Sequence, residues 1–266
     1  MSHAYFDRGS QAFAALAPVV WDPIGAHAAR CAQVSSGDVV WDACCGIGSS
    51  ALPLAQAVGP AGRVDAVDLA PAMIDLARQR ANDRHLHNLE FHVADVTCWA
   101  PPPAGYDALV CVLGIFFLPT PITDTAAIIR KVRAGGRVAL TVWAEGAVQP
   151  LGRNLWDACA DVLPEQFATM PAHGPATPFD TADKLLELAP VWRLANAHVA
   201  QDNRSLTLNG DDAWNLITGT AFAGFFTEMT TDQVARVRDR FLAAHDFGGR
   251  DVDFTTLTLL GDREPG

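Results

Sequence analysis

The feature that most constrains this chain is a regular alternation of short apolar runs with helical patterns through its first half. Apolar runs at 38–42, 63–67, 89–94, 108–113 and 137–143 are each followed by a segment with helical spacing or a helix stop. Ser49-Ser50 is placed to cap a helix that runs to Val58 and ends at Gly59-Pro60. Pro71 opens a second helix, with Met73, Leu76 and Ala77 on one face. Ile122, Ala126, Ile129 and Val132 mark a third, closed by Gly135-Gly136. The run at 108–113 is apolar on both sides, which a strand needs only when helices cover both faces of its sheet. The expected fold class is therefore α/β: a doubly wound, seven-stranded, mainly parallel sheet with a last antiparallel strand.

Beyond residue 145 the pattern changes. Residues 146–190 are proline-rich and irregular, with one helical stretch near 154–163, and they read as an insertion or lid carrying Trp156, Phe167, Met170 and Phe179. Strands are expected again at 192–199 and 254–260. Between them lies a helix that starts at the capping box Thr230-x-x-Gln233, shows Val234, Val237, Phe241 and Leu242 on one face, and stops at Gly248-Gly249. The expected organisation is an N-terminal helical cover (1–35), a Rossmann-like domain (36–145 and 191–262) and the insertion (146–190).

Half of the 266 residues are hydrophobic, so a large core is available, and the net charge of −11 disfavours a nucleic-acid or anionic-membrane partner. No apolar run approaches a bilayer span and the first residues lack the basic and apolar regions of a leader, which predicts a cytoplasmic protein. Six cysteines without a C-x-x-C spacing predict reduced, structural thiols and no metal; His85, His87 and His92 lack a ligand geometry. A homodimer is left open.

Asp42, Asp68 and Asp95 fall at the ends of three successive strands, 26 and 27 residues apart. That is close to one strand–helix unit of roughly 30 residues, so the three converge at the carboxyl edge of the sheet, where open α/β sheets bind ligands. Gly46-Ile47-Gly48, between the first two, lets main chain approach a ligand. A pyrophosphate would be repelled by Asp42. A nucleoside with a cationic tail fits better: Asp68 accepts the ribose hydroxyls, Asp95 the adenine amino group, and Asp42 lies towards an ammonium. S-adenosylmethionine has these features.

The stretch Val39-Val40-Trp41-Asp42-Ala43-Cys44-Cys45-Gly46-Ile47-Gly48 resembles the first motif of the class I S-adenosylmethionine-dependent methyltransferases, in particular the type 11 and ubiquinone-biosynthesis-like small-molecule group. Val67-Asp68-Leu69-Ala70-Pro71-Ala72-Met73 is similar to the second motif and Val93-Ala94-Asp95-Val96 to the third. Gly114-Ile115-Phe116-Phe117-Leu118-Pro119 and Val132-Arg133-Ala134-Gly135-Gly136-Arg137-Val138 match later landmarks. The resemblance covers about residues 30 to 145. It implies S-adenosyl-L-methionine as cofactor, held by Asp42, Cys44, Gly46, Gly48, Asp68, Leu69, Met73, Asp95, Val96 and Val112. Cys44 departs from the pattern, since many members carry glycine or alanine there; a small thiol fits. Two other readings stand beside it. Gly46-x-Gly48-x-x-Ala51 with Asp68 also satisfies a relaxed dinucleotide fingerprint, as in an NAD(P)-dependent oxidoreductase. In that fingerprint, however, glycine follows the strand directly, and Asp95 has no role. The third is a non-catalytic scaffold that binds the cofactor.

Methyl transfer from a sulfonium is an in-line displacement, for which positioning is most of the catalysis and a base is needed only if the acceptor loses a proton. Glu145 and His27 are the candidate bases. Tyr5, Trp21, Phe116, Phe117, Trp143 and His173 are the candidate acceptor-binding residues, since aromatic faces suit a sulfonium or a flat apolar acceptor. The expected acceptor is a small metabolite, aromatic or polyketide-like.

Overall fold

The computed structural model describes residues 4–167, 178–244 and 251–265. Helix α1 (Ala4–Ala15), one π-helical turn (Ala17–Trp21) and α2 (Asp22–Ala32) precede the first strand. The alternating half then runs β1 (Val39–Ala43), α3 (Ala51–Val58), β2 (Arg63–Asp68), α4 (Pro71–Asp83), β3 (Leu89–Val93), β4 (Tyr106–Val112), α5 (Pro121–Ile129) and β5 (Val132–Trp143). After β5 come α6 (Gln149–Val162), α7 (Pro164–Phe167), α8 (Ala182–Leu188) and β6 (Leu194–Asp202). The chain leaves the sheet once more through β7 (Ser205–Thr207), α9 (Gly210–Gly219), α10 (Thr231–Ala244) and β8 (Asp251–Asp253), and returns as β9 (Thr256–Arg263).

Seven strands pair in the order β3-β2-β1-β4-β5-β9-β6. All neighbours are parallel except β9, which is antiparallel to both β5 and β6. The expected doubly wound sheet with a last antiparallel strand is found. The strand periodicity sorts the core. Leu109 and Cys111 of β4 face one side with Ile128, Leu185 and Trp192, whereas Ala108 and Val110 face the other with Ala28, Leu54 and Ala77. The chain crosses from β3 at the edge back to β4 beside β1, so strand order switches between β1 and β4, the place where open α/β sheets bind ligands at their carboxyl edge.

Several boundaries differ from expectation, β9 among them, since it spans Thr256–Arg263 and not 254–260. Val132 opens β5, opposite Tyr106, rather than ending α5. Gly135-Gly136 then forms an irregularity inside the strand, where the register shifts between Tyr106 and Ala108. The helical spacing of Val132 was coincidental, because its burial against the sheet comes from a cross-strand neighbour. Trp192 does not open β6: its N–H donates to Leu188 O in the turn after α8, and its ring is buried beneath the sheet. Helix α6 begins five residues earlier than the apolar pattern indicated, with Pro150 in its first turn where no N–H is required. The helix stop expected at Gly248-Gly249 lies outside the described residues.

A third cluster unites α6, α9 and α10 with Trp21, Ile24, Ile47 and Met73. The 146–190 segment is thus joined by the β6–β9 excursion in one helical lobe. Phe179 and Leu185, by contrast, pack with the sheet. Among the described residues no helix is long and apolar enough to cross a membrane.

Candidate active site

Asp42 is the fourth residue of β1, Asp68 the last of β2, and Asp95 stands two residues beyond β3. Parallel register brings the three to one edge. Their surroundings differ. Asp42 is fully buried. Its Oδ2 accepts from Ser50 Oγ at 2.8 Å, and among the described residues its Oδ1 has no hydrogen-bond partner. Burial, reinforced by the charge of Asp68, pushes its pKa up to about 7 against the Ser50 hydrogen bond. Asp68 is partly buried and accepts from Gly46 N at 2.8 Å and Ala70 N at 2.9 Å, so it clasps the glycine turn to the start of α4. Its pKa is also raised by burial, which the backbone donors oppose. Asp95 folds back on its own loop, Oδ1 accepting from Thr97 N at 2.8 Å and Thr97 Oγ1 at 2.7 Å.

The turn itself is left-handed. Gly46 has φ +51° and Gly48 φ +81°; a Cβ built on Gly46 meets nothing within 4 Å, so open space faces this main chain. Cys44 adopts φ +59°, a conformation that costs a residue with a Cβ. Its thiol lies next to Gly114, where a Cβ would come within 3.0 Å of Cys44 Sγ and 2.8 Å of Cys111 Sγ. Of the other expected cofactor residues, Leu69 is 44% exposed beside Asp68 and Val112 is partly buried, whereas Met73 and Val96 are nearly enclosed.

The expected aromatic residues fall into a ring network. Phe116 and Phe117 form a 3-10 turn after β4. Phe117 meets Phe6 edge-on at 5.4 Å, Phe6 meets Phe13, and Phe13 stacks on Trp21 at 4.3 Å. Trp21 lies 6.5 Å from Trp143, and Trp143 lies 6.0 Å from Phe254. Tyr5 packs on Phe6 at 4.8 Å. Trp21 is only 6% exposed and donates Nε1–H to Phe13 O, so it supports this wall more than it lines a cleft.

Glu145 is exposed, two residues beyond Trp143, and its N–H donates to Asp180 O. His27 lies midway along α2, between Trp21 in the aromatic wall and Gln33, which accepts from Arg137 inside β5. Its Nε2 meets the Cys31 thiol at 3.2 Å. The structure therefore seats His27 on the flank of the sheet. His173 and Met170 lie outside the described residues. Asp65, Glu90 and His92 approach ligand spacing, but both oxygens of Asp65 are held by Arg63 and one also accepts from Tyr106.

Two positioning residues escaped the sequence reading. Arg80 of α4 grips Asp22 with Nη2 at 2.5 and 2.6 Å and donates Nη1–H to Ile47 O at 2.7 Å. Ser49 Oγ closes the cluster on Asp22 at 2.8 Å. The cover is thereby tied to the glycine turn, and Asp7 adds a second tie by accepting from Ala72 N at 3.0 Å. Lys131 donates to Val96 O and Thr97 O at 2.7 and 3.0 Å beneath the Asp95 loop, its charge 5.2 Å from the Trp41 ring. No local pattern marks either residue, because their partners are 31 to 58 and 34 to 35 residues away.

A family model described as a methyltransferase domain matches residues 40–136, which contain the three acids, the glycine turn and the Phe116-Phe117 turn. Residues 40–136 are thus similar to a methyltransferase domain, in the part of the chain that carries the glycine turn and the three acids. The chain is 31% identical over 136 residues to the aklanonic acid methyltransferase DauC of Streptomyces sp. (strain C5), covering 51% of this chain and 62% of that protein. It is 29% identical over 106 residues to a demethylmenaquinone methyltransferase of Oceanobacillus iheyensis, covering 40% of this chain and 44% of that protein. The chain thus spans less than two thirds of these curated methyltransferases. The fold matches YcgJ of Bacillus subtilis with a TM-score of 0.59 at 14% identity, over 90% of this chain and 97% of that one. It also matches the cyclase SpnF with a TM-score of 0.57 at 17% identity, over 92% and 82%. A methyltransferase fold is therefore shared with a protein named for different chemistry.

Proposed function

We propose that this methyltransferase moves the methyl group of S-adenosylmethionine to a small, flat acceptor in the cytoplasm. The observation that carries the reading is the combination of three carboxylates at one sheet edge with an open left-handed glycine turn among them. The residues present fit the cofactor. The unpaired Oδ1 of buried Asp42 suits an ammonium, directly or through water. Asp68 retains lone pairs for two hydroxyls after its backbone bonds. Exposed Leu69 offers an apolar face for a purine, with Asp95 in reach of an exocyclic amine. Gly46 and Gly48 give main-chain access, while Cys44, Met73, Val96 and Val112 back the cleft.

The cofactor supplies an electrophilic methyl on a sulfonium. The protein's part is to hold the acceptor in line and keep water out, a role that suits Phe116, Phe117 and Trp143, with Tyr5 at the edge of the acceptor space and Trp21 supporting the wall. Glu145 serves as base if the acceptor carries a proton to lose. His27 is a weaker candidate, given its thiol contact. The helical lobe and the first 35 residues set acceptor specificity. That DauC and the demethylmenaquinone enzyme are named for small molecules supports this class.

Calorimetry with S-adenosylhomocysteine and with NAD tests the reading. Binding of the first and none of the second is expected; the reverse would decide for a nicotinamide enzyme. Cofactor binding without turnover on any panel of aromatic hydroxy or keto acceptors would favour the scaffold reading.

A further inference from the structure

Helices α1 and α9 cross where neither accommodates a side chain. A Cβ on Gly9 would lie 2.2 Å from Thr218 O, and one on Gly219 2.5 Å from Phe13 N. Beside this crossing, the two helices and the 3-10 segment Ala221–Phe226 bound a cavity of about 450 Å³. The contact fixes its walls relative to each other, and the volume lies in the range of small-molecule sites.

The lining is chemically one-sided. Tyr5, Arg8 and Gln11 come from α1 at three-residue spacing, so they share one face of the helix. Across from them are Ala223 and the ring of Phe226, which is backed by Trp214 at 5.5 Å. The two threonines of the far wall, Thr218 and Thr227, direct their hydroxyl hydrogens to Trp214 O and Gly224 O. Among the described residues, Arg8 has no carboxylate within ion-pair distance. Arg63, Arg80, Arg133, Arg137 and Arg204 each hold a carboxylate, whereas the Arg8 guanidinium stays open to a ligand in the cavity that it lines. Its neighbour Asp7 is engaged with α4 instead. The cavity therefore offers a guanidinium and neutral donors on one side and apolar surface on the other. A single cation in a strongly acidic protein suits a monoanion better than a phosphate dianion.

We propose that this cavity binds an aromatic carboxylate, its carboxylate on Arg8 and its ring against Phe226. Guanidinium matches carboxylate in shape and charge, and a flat ring fills the space between the helices. None of the three edge aspartates lines the cavity, which shares Tyr5 alone with the aromatic residues named above for the acceptor, so binding here is tested apart from cofactor binding.

The test uses 2-naphthoate and its uncharged analogue 2-naphthamide, titrated calorimetrically into the full-length protein with and without saturating S-adenosylhomocysteine. Naphthoate is expected to bind wild type at least about tenfold more tightly than the amide, the scale of a charged hydrogen bond. Arg8→Gln, a surface change, should bring both probes to the amide's affinity. Ala223→Trp should abolish both by filling the space, with a melting curve like that of the wild type confirming its fold. Failure of naphthoate to bind wild type, equal affinity for the two probes, an unchanged preference in Arg8→Gln, or displacement of naphthoate by S-adenosylhomocysteine would each overturn the proposal. S-adenosylhomocysteine binding is read separately, so its failure would count against the methyltransferase reading alone.

Discussion

Asp42 shows how a single residue carries two demands. It is enclosed in the core, and its pKa stands near 7 because burial disfavours the anion. In the unfolded chain the same group ionises near the ordinary aspartate value of about 4. The folded state then holds the proton more tightly, so this group's contribution is fully present below about pH 4 and is lost as pH rises through 7. Asp42→Asn should therefore gain on wild type in unfolding free energy from about pH 4 to 7 and level off above, by on the order of 4 kcal/mol at most. Denaturant titrations at a series of pH values give that difference directly. Cofactor binding should show the opposite dependence. If an ammonium meets the anionic form, affinity for S-adenosylhomocysteine rises from pH 6 to 8 in wild type and stays flat in Asp42→Asn. Asp68 acts by hydrogen bonding instead. Asp68→Ala removes the acceptor of Gly46 N–H as well as the proposed ribose contacts, and a loss of about 1–3 kcal/mol in S-adenosylhomocysteine affinity is expected by calorimetry.

Elements are coupled through a few side chains at their ends. Arg80 joins α4, α2 and the glycine turn, and its partner Asp22 follows directly on Trp21 of the aromatic wall. Arg80→Met keeps much of the side chain's length but removes the donors. It leaves a partly buried Asp22 with Ser49 as its one side-chain hydrogen-bond donor among the described residues, which should cost about 1–3 kcal/mol of stability. The same variant should weaken S-adenosylhomocysteine binding through a loosened turn, and Arg80→Lys should recover part of both. Equal affinities in all three proteins would show that the cluster serves stability alone. The α1–α9 crossing depends on absent side chains. Gly9→Val places carbon against the Thr218 carbonyl and should lower the denaturation midpoint by the equivalent of about 1–3 kcal/mol. A similar change at Gly224, where a Cβ meets nothing within 4 Å, serves as the control.

For the whole molecule, the order of strands and helices through residue 143 was legible because each unit carries its own period and punctuation. Asp42, Asp68 and Asp95 were readable as a set because a parallel sheet repeats its geometry once per unit, which turns spacing in sequence into adjacency in space. The membership of Phe6, Phe13 and Phe254 in the aromatic network was not readable, nor was the joining of α6 with α9 and α10 in one lobe. Those contacts are made between segments up to more than a hundred residues apart, and no local period encodes them. The Val132 boundary failed for a related reason: an apolar residue at helical spacing was claimed by a neighbouring strand. The sequence by itself determined the fold class and the edge at which the three carboxylates gather, since both follow from periodicity and short-range turn chemistry. Only the tertiary structure decided how Arg80 and Lys131 brace that edge, that His27 turns to a cysteine, and that Arg8 lines a cavity with no ion pair among the described residues. Side-chain pairing depends on which distant surfaces the packed core brings together.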